Sequence, residues 1–218
     1  EPTPRDETTA HVASAGERIG RLGLLAPTLL NPYGTLQHQG GDLPSLWSIF
    51  VQMSFLDDVP LIGRFFHSTQ HTGATGKQRQ SSSELNTTTP LKPMGWIGGT
   101  ALTIRRELID EIGMLDEAIF MYGEDVEYCL RAKQHHWDIA IDQTAQITHF
   151  GQASSSSKNA ILGEMKGYRY IWSKHFPAWQ MPLLKLILKF GALARMLLYT
   201  VKAQPKAVAI YQEAFTTI

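Results

Sequence analysis

The sequence predicts an α/β fold closed by C-terminal helices, and three observations carry that expectation. A compact apolar run, Leu22-Gly23-Leu24-Leu25-Ala26-Pro27 followed by Leu29-Leu30, has the length of a buried strand. Between Trp96 and Phe150 strand-like and helix-like patterns alternate as strand, helix, loop, helix, strand. From Ile161 onward the pattern is mainly helical, with Pro177, Pro182 and Pro205 as expected breaks.

The first 20 residues are polar, and Thr9 to Ile19 reads as a short helix. After the first strand, Asn31-Pro32-Tyr33-Gly34 reads as a turn, because proline presets one dihedral and glycine tolerates positive φ. Pro44 to Arg64 mixes Trp47, Phe50, Phe55 and Leu61 as one or two helices would, with Asp57-Asp58 at a helix end rather than in a metal site. Residues 69–90 are dense in Gln, Ser, Thr and Gly and read as an exposed polar loop. Trp96 to Ile104 reads as one strand with Gly98-Gly99 at its start. Arg105 to Ile112 reads as a short helix that turns Leu108, Ile109 and Ile112 to one face and ends at Gly113. Glu124 to Lys133 reads as a second helix, burying Val126, Cys129 and Leu130. Trp137 to Ile141 and Gln146 to Phe150 read as two further strands. The expected division is 1–154 and a helical tail at 155–218.

Composition narrows the function classes. The chain has 218 residues, 43% hydrophobic and 18% charged, which suits a globular domain with a real core. Lys plus Arg and Asp plus Glu are both 20, without the basic excess of a nucleic-acid binder. A single cysteine, Cys129, excludes an internal disulfide framework and fits a reducing cytosol. The most apolar stretch, Leu183 to Val201, is interrupted by Lys185, Lys189 and Arg195, so it does not read as a membrane span. Lys185, Lys189, Arg195 and Lys202 are expected on one side of that helix, with Leu184, Leu188 and Leu198 on the rest. Such a helix suits a membrane surface, and equally an ordinary packing helix with a solvated edge.

Two groups of residues could carry chemistry. Gly123-Glu124-Asp125 opens an amphipathic helix, where acids complement the helix dipole and also could accept a proton in a cleft. His149 follows a strand, either as a packed imidazole or as a ligand, whereas His135-His136 suits a helix end. A hydrolase using Glu124 and Asp125 as its carboxylate pair is disfavoured, since neighbours on a helix point about 100° apart. Phosphate-loop, dinucleotide, serine-hydrolase and zinc-protease motifs are all absent from the sequence.

A series of short motifs goes further. Ala26-Pro27 with Asn31-Pro32-Tyr33-Gly34-Thr35-Leu36-Gln37, then Gly98-Gly99-Thr100 running to Arg105-Arg106-Glu107, follow one another in order. Ile112-Gly113-Met114-Leu115-Asp116-Glu117 and Phe120-Met121-Tyr122-Gly123-Glu124-Asp125-Val126-Glu127-Tyr128-Cys129-Leu130-Arg131 come next. Trp137, Ile139, His149, Gly151 and Ser154 close the series. Across 22–154 this resembles family-two glycosyltransferases, rhamnosyltransferase-like enzymes of polysaccharide assembly among them, with Leu115 where phenylalanine is usual. The resemblance implies the C-terminal, acceptor-side portion of a GT-A (nucleotide-diphospho-sugar transferase) fold.

It further implies inverting transfer of a sugar from a nucleotide-diphosphate sugar to a glycan or lipid-linked acceptor. In that reading Asp125 is the general base and Glu124 its support. Trp96, Gly98, Gly99 and Arg131 bind donor or acceptor, and His149 helps hold a divalent ion, Mg or Mn. A cytoplasmic protein, peripheral on the inner face of the membrane, is the matching location. The family's Asp-x-Asp motif and nucleotide-binding units precede the connector. Only 21 residues precede Leu22 here, so the isolated chain is expected not to bind a sugar nucleotide productively. The alternative function is a non-catalytic carbohydrate-binding or assembly module of degenerate transferase origin.

Overall fold

The computed structural model describes residues 21–59, 68–69, 90–150 and 157–218. The expected helix at Thr9 to Ile19, most of the polar loop at 69–90, and the motif residues Gly151 and Ser154 lie outside them.

The chain forms β1 (Leu22–Leu30), β2 (Gly40–Gly41), α1 (Leu46–Met53), β3 (Leu91–Pro93), β4 (Trp96–Ile97) and β5 (Thr103–Ile104). It continues with α2 (Arg106–Ile112), α3 (Glu124–Gln134), β6 (Asp138–Thr148), α4 (Ser157–His175), α5 (Gln180–Val201) and α6 (Pro205–Thr217). The mixed α/β class is therefore as expected. A four-stranded sheet runs in the order β3-β6-β1-β5. Its central pair, β1 and β6, is parallel, and both edge strands run antiparallel to their neighbours. A separate small pair joins β2 to β4. The turn at Asn31–Gly34 forms as expected, closed by the Gly34 amide donating to the Asn31 carbonyl at 2.9 Å, with Gly34 at φ 77°.

Several boundaries differ from the sequence expectation. The strand expected from Trp96 to Ile104 is broken: β4 and β5 flank a 3₁₀ turn at Gly99–Ala101. The break has a cause, since the Gly98 amide donates to Gln39 O at 2.6 Å and the Gly99 amide to Asp125 Oδ2 at 3.0 Å. Conversely, the two strands expected at 137–150 are one. β6 carries a register shift in which Pro27 faces Asp142 while Thr28 faces Gln146. The extra residues are held by Asp142 Oδ1, which accepts from the Thr144 amide at 2.8 Å and the Thr144 hydroxyl at 2.6 Å. Pro182 does not break a helix, because it lies in the first turn of α5, where an amide has no intrahelical partner to lose. Pro205 opens α6 for the same reason.

Two apolar clusters fill the interior. One packs α2 and one side of α3 on the sheet, through Leu24, Ile97, Leu108, Tyr128, Trp137 and Ile139. The other joins α1 to α4, α5 and α6 through Ile49, Met53, Ile171, Trp172, Leu184 and Leu188. α3 straddles both, with Tyr128, Cys129 and Ala132 in the first and Leu130 in the second; Val126 is partly buried beside it. The N-terminus of α3 consequently opens at the seam between sheet and helical layer.

Arg195 does not stand with the other basic residues of α5. It turns inward, donating to Met53 O at 3.0 Å and Gln52 O at 2.9 Å, and so satisfies carbonyls at the end of α1. Leu184 and Leu188 are fully buried, and Arg195 joins their side, so the basic side expected for this helix is only partly realised.

Candidate functional site

The α3 N-terminus is positioned by close backbone contact. Gly123 precedes the helix at φ 114°, a conformation that favours glycine, and a Cβ there would meet Gly167 Cα at 3.1 Å. On α4, a Cβ at Gly163 would press on the Tyr122 ring at 2.6 Å, and one at Gly167 on the Tyr122 carbonyl oxygen. The Gly-x-x-x-Gly spacing of α4 thus lets its backbone approach the segment that presents Glu124 and Asp125.

A salt-bridge network fixes the same two helices. Glu127 is fully buried on α3 and meets Lys174 Nζ at 2.8 Å, His175 Nε2 at 2.9 Å and Arg131 Nε at 2.9 Å. Burial pushes its carboxyl up, but Lys174, His175 and Arg131 outweigh that and hold it below the ordinary glutamate value. Lys174 also reaches Asp116 at 2.6 Å, which the Tyr170 hydroxyl joins at 2.7 Å. Asp116 is held well below the ordinary range by Lys174 first and Tyr170 second.

Above this anchorage lies a cleft of about 680 Å³, lined by Trp96, Gly99, Tyr122, Glu124, Asp125 and His149, with Glu164 and Tyr168 from α4. Asp125 Oδ2 accepts from the Gly99 amide at 3.0 Å and Oδ1 from the Val126 amide at 2.8 Å. Burial raises the Asp125 carboxyl above the ordinary aspartate value, with those two amides opposing. Glu124 is raised as well, by burial first and by the neighbouring Asp125 charge, and its Oε2 is buried without a hydrogen-bond partner among the described residues. Two carboxyls with raised pKa at one cleft hold a proton more readily than ordinary carboxylates do.

Most of the expected site residues converge here. Trp96 donates from Nε1 to Thr69 O at 2.9 Å, and Gly98 lies so that a Cβ would sit 3.8 Å from Asp125 Oδ2. His149 reaches the cleft rim, its amide on Leu30 O at 2.9 Å and its Nδ1 at 2.9 Å from Gln37 Oε1. Arg131 does not line the cleft. Its guanidinium is engaged by Glu127 and by the carbonyls of Ile112 at 2.6 Å and Met114 at 2.8 Å, which ties α3 to the end of α2.

Sequence reasoning missed the opposite wall. Glu164 Oε1 accepts from Gln52 Nε2 at 2.9 Å and from the Tyr168 hydroxyl at 3.3 Å, while the Thr69 hydroxyl donates to Gln52 Oε1 at 2.7 Å. Burial raises the Glu164 carboxyl, with Gln52 and Arg195 opposing. Glu164 and Tyr168 stand one turn apart on α4, but no spacing rule brings Gln52 of α1 and Thr69 to them; polar residues on otherwise apolar helix faces were the one available signal.

The residues present do not by themselves fit a divalent ion. Among the described residues no group of three or more His, Cys, Asp or Glu side chains is arranged to hold one, and His149 supplies a single imidazole. Cys129 is no candidate either, its thiol pushed up to about 12 by burial.

Comparison with known proteins gives the site a context. The chain is 26% identical over 172 residues to N-acetylglucosaminyl-diphospho-decaprenol L-rhamnosyltransferase of Mycobacterium tuberculosis, in strains CDC 1551 and H37Rv, covering 78% of this chain. It spans about half of those relatives' length, 52%. It is also 34% identical over 59 residues to the low-salt glycan biosynthesis hexosyltransferase Agl10 of Haloferax volcanii, covering 27% of this chain and 19% of that protein. No family model matches the chain. The chain thus resembles glycosyltransferases, rhamnosyltransferases among them.

Proposed function

We propose that the protein takes part in inverting sugar transfer from a nucleotide-diphosphate sugar to a glycan or lipid-linked acceptor, with Asp125 as general base. The observation that carries the reading is the Asp125 carboxyl itself, held at a cleft with a raised pKa and reached from across the seam by the Gly99 amide. A carboxylate that only closed its own helix end would need no partner in a distant turn. In the step, the acceptor oxygen bonds to the anomeric carbon as its proton passes to an Asp125 oxygen. The bond from that carbon to the diphosphate breaks, and the nucleoside diphosphate leaves with the electron pair. Glu124, beside Asp125, orients the acceptor hydroxyls, and Trp96 offers an apolar ring of the kind sugars stack on.

The described residues correspond, in this reading, to the acceptor side of a GT-A fold, a nucleotide-binding half being supplied outside them. A divalent ion at the cleft would take one ligand from His149 and its others from outside the described residues. The decaprenol in the name of the Mycobacterium relatives makes a lipid-linked acceptor the favoured class and a cytoplasmic membrane surface the favoured location. Among the described residues no helix is long and apolar enough to cross a membrane.

The test is a transfer assay on the protein as encoded in full. Asp125→Asn is expected to lower kcat by about 10²–10⁴-fold, the usual worth of a positioned base, with donor KM little changed. Retention of activity within tenfold would remove the base assignment, whereas no transfer by the wild-type protein would leave a non-catalytic binding module as the better account.

A further inference from the structure

The outward face of α5 is apolar in an unbroken stripe. Leu183 is 44% exposed, Leu186 67%, Phe190 48%, Leu193 46%, Leu197 62% and Val201 86%. They follow one another at intervals of three and four residues, so they share one face of a 22-residue helix about 33 Å long. Trp179, 65% exposed, stands at the head of the same stripe. The opposite face, with Leu184, Leu188 and Ala192 fully buried, already packs on α1 and α6; within the stripe Phe190 stacks on Phe50 of α1 at 6.4 Å and still stays half exposed. A contiguous apolar strip of this length on a surface marks a binding face.

Charge selects the occupant. Residues 180–206 contain Lys185, Lys189, Arg195, Lys202 and Lys206 and no acidic residue, in a chain whose formal net charge is zero. Arg195 is turned inward and Lys189 lies over the Phe215 ring of α6 at 5.3 Å, but Lys202 and Lys206 are exposed at the C-terminal end. A second copy docking through the same face would bring like charges together. An anionic bilayer would complement them, with the leucines among the acyl chains and the Trp179 indole at the headgroup level.

We propose that α5 docks the protein on an anionic phospholipid surface, lying in the plane of the interface with its Leu183-to-Val201 stripe inward. This shares a membrane location with the proposed function but stands on the geometry of α5. Loss of vesicle binding would leave sugar transfer to a soluble acceptor untouched, and loss of transfer in Asp125→Asn would leave docking untouched.

Flotation with phosphatidylcholine vesicles, with and without phosphatidylglycerol, tests it. The chain is expected to float with the anionic vesicles at low salt and to be released as salt rises. Leu186→Gln with Leu197→Gln should lower binding at least about tenfold, since each removes a leucine's burial. Lys202→Gln and Lys206→Gln should each lower it about fivefold. Circular dichroism and the thermal midpoint should stay at wild-type values, and Leu193→Gln with Trp179→Ser provides a second pair should the first lose its fold. Three results overturn the proposal: no flotation on anionic vesicles, flotation indifferent to both apolar pairs, or a dimer in light scattering that the same substitutions dissociate. The last would assign the face to a second copy.

Discussion

Replacing Glu127 by glutamine perturbs the anchorage beneath the cleft without touching the cleft itself. The carboxylate is fully buried and faces Lys174, His175 and Arg131, all within 2.9 Å. Breaking a buried ion pair by removing one partner costs about 3–5 kcal/mol, because the surviving charge stays buried and uncompensated. Here the survivors keep other contacts, Lys174 with Asp116 and Arg131 with the Ile112 and Met114 carbonyls, so the low end, about 3 kcal/mol, applies. For a chain of this size that is about 6–12 °C in Tm at pH 7. The pH dependence has a definite sign. A carboxyl held below its ordinary value stabilises the fold at pH above the ordinary glutamate value of about 4.3, and that contribution is lost as pH falls through the depressed folded value. The wild-type advantage in thermal melts should therefore be full at neutral pH and shrink in acid. A Tm difference under about 2 °C at pH 7 would refute the claim that this network fastens α3 to α4.

Other outcomes follow from the same structure. Asp125→Ala, which leaves the Gly99 and Val126 amides without their acceptor, should cost about 1–2 kcal/mol in denaturant unfolding, whereas Asp125→Asn should cost less than about 1 kcal/mol because burial disfavours the charge it removes. With Asp125 as the proposed base, the acid limb of kcat/KM should fall above the ordinary aspartate range, because burial raises its pKa; a limb at or below that range would exclude it as the base. Gly167→Ala drives a methyl into the Tyr122 carbonyl and should destabilise by about 1–3 kcal/mol by calorimetry, unlike Gly34→Ala, whose Cβ meets only open space and whose cost is the positive φ alone. Arg195→Ala exposes the carbonyl end of α1 to an unfilled partner and should lower Tm by about 2–8 °C.

Much of this was legible along the chain because it is local. The apolar run at 22–30, the turn at Asn31–Gly34, the α2 face carrying Leu108 with Gly113 after it, and the Gly-Glu-Asp opening of α3 each depend on neighbours within a few residues. The fold brings Trp96, Gly99, Glu124, Asp125 and His149, which lie in separate motifs of the series, to one cleft. Local pattern failed where distant partners decide. Whether Trp96 to Ile104 stays a strand depends on Asp125 pulling the Gly99 amide, and whether 138–148 is one strand depends on β1 running alongside it. Arg131 and Arg195 look on the sequence like any solvent-facing cations, yet each is drawn inward by carbonyls that no spacing predicts. Glu127 gives no sign of burial until Lys174 and His175 arrive from α4. The stripe of α5 reads as one side of an apolar helix; only packing of the other side against α1 and α6 leaves that stripe outward. Periodicity fixes which residues share a face, and the tertiary structure decides which face is buried, because the energy of burying a charge or an apolar side depends on what meets it.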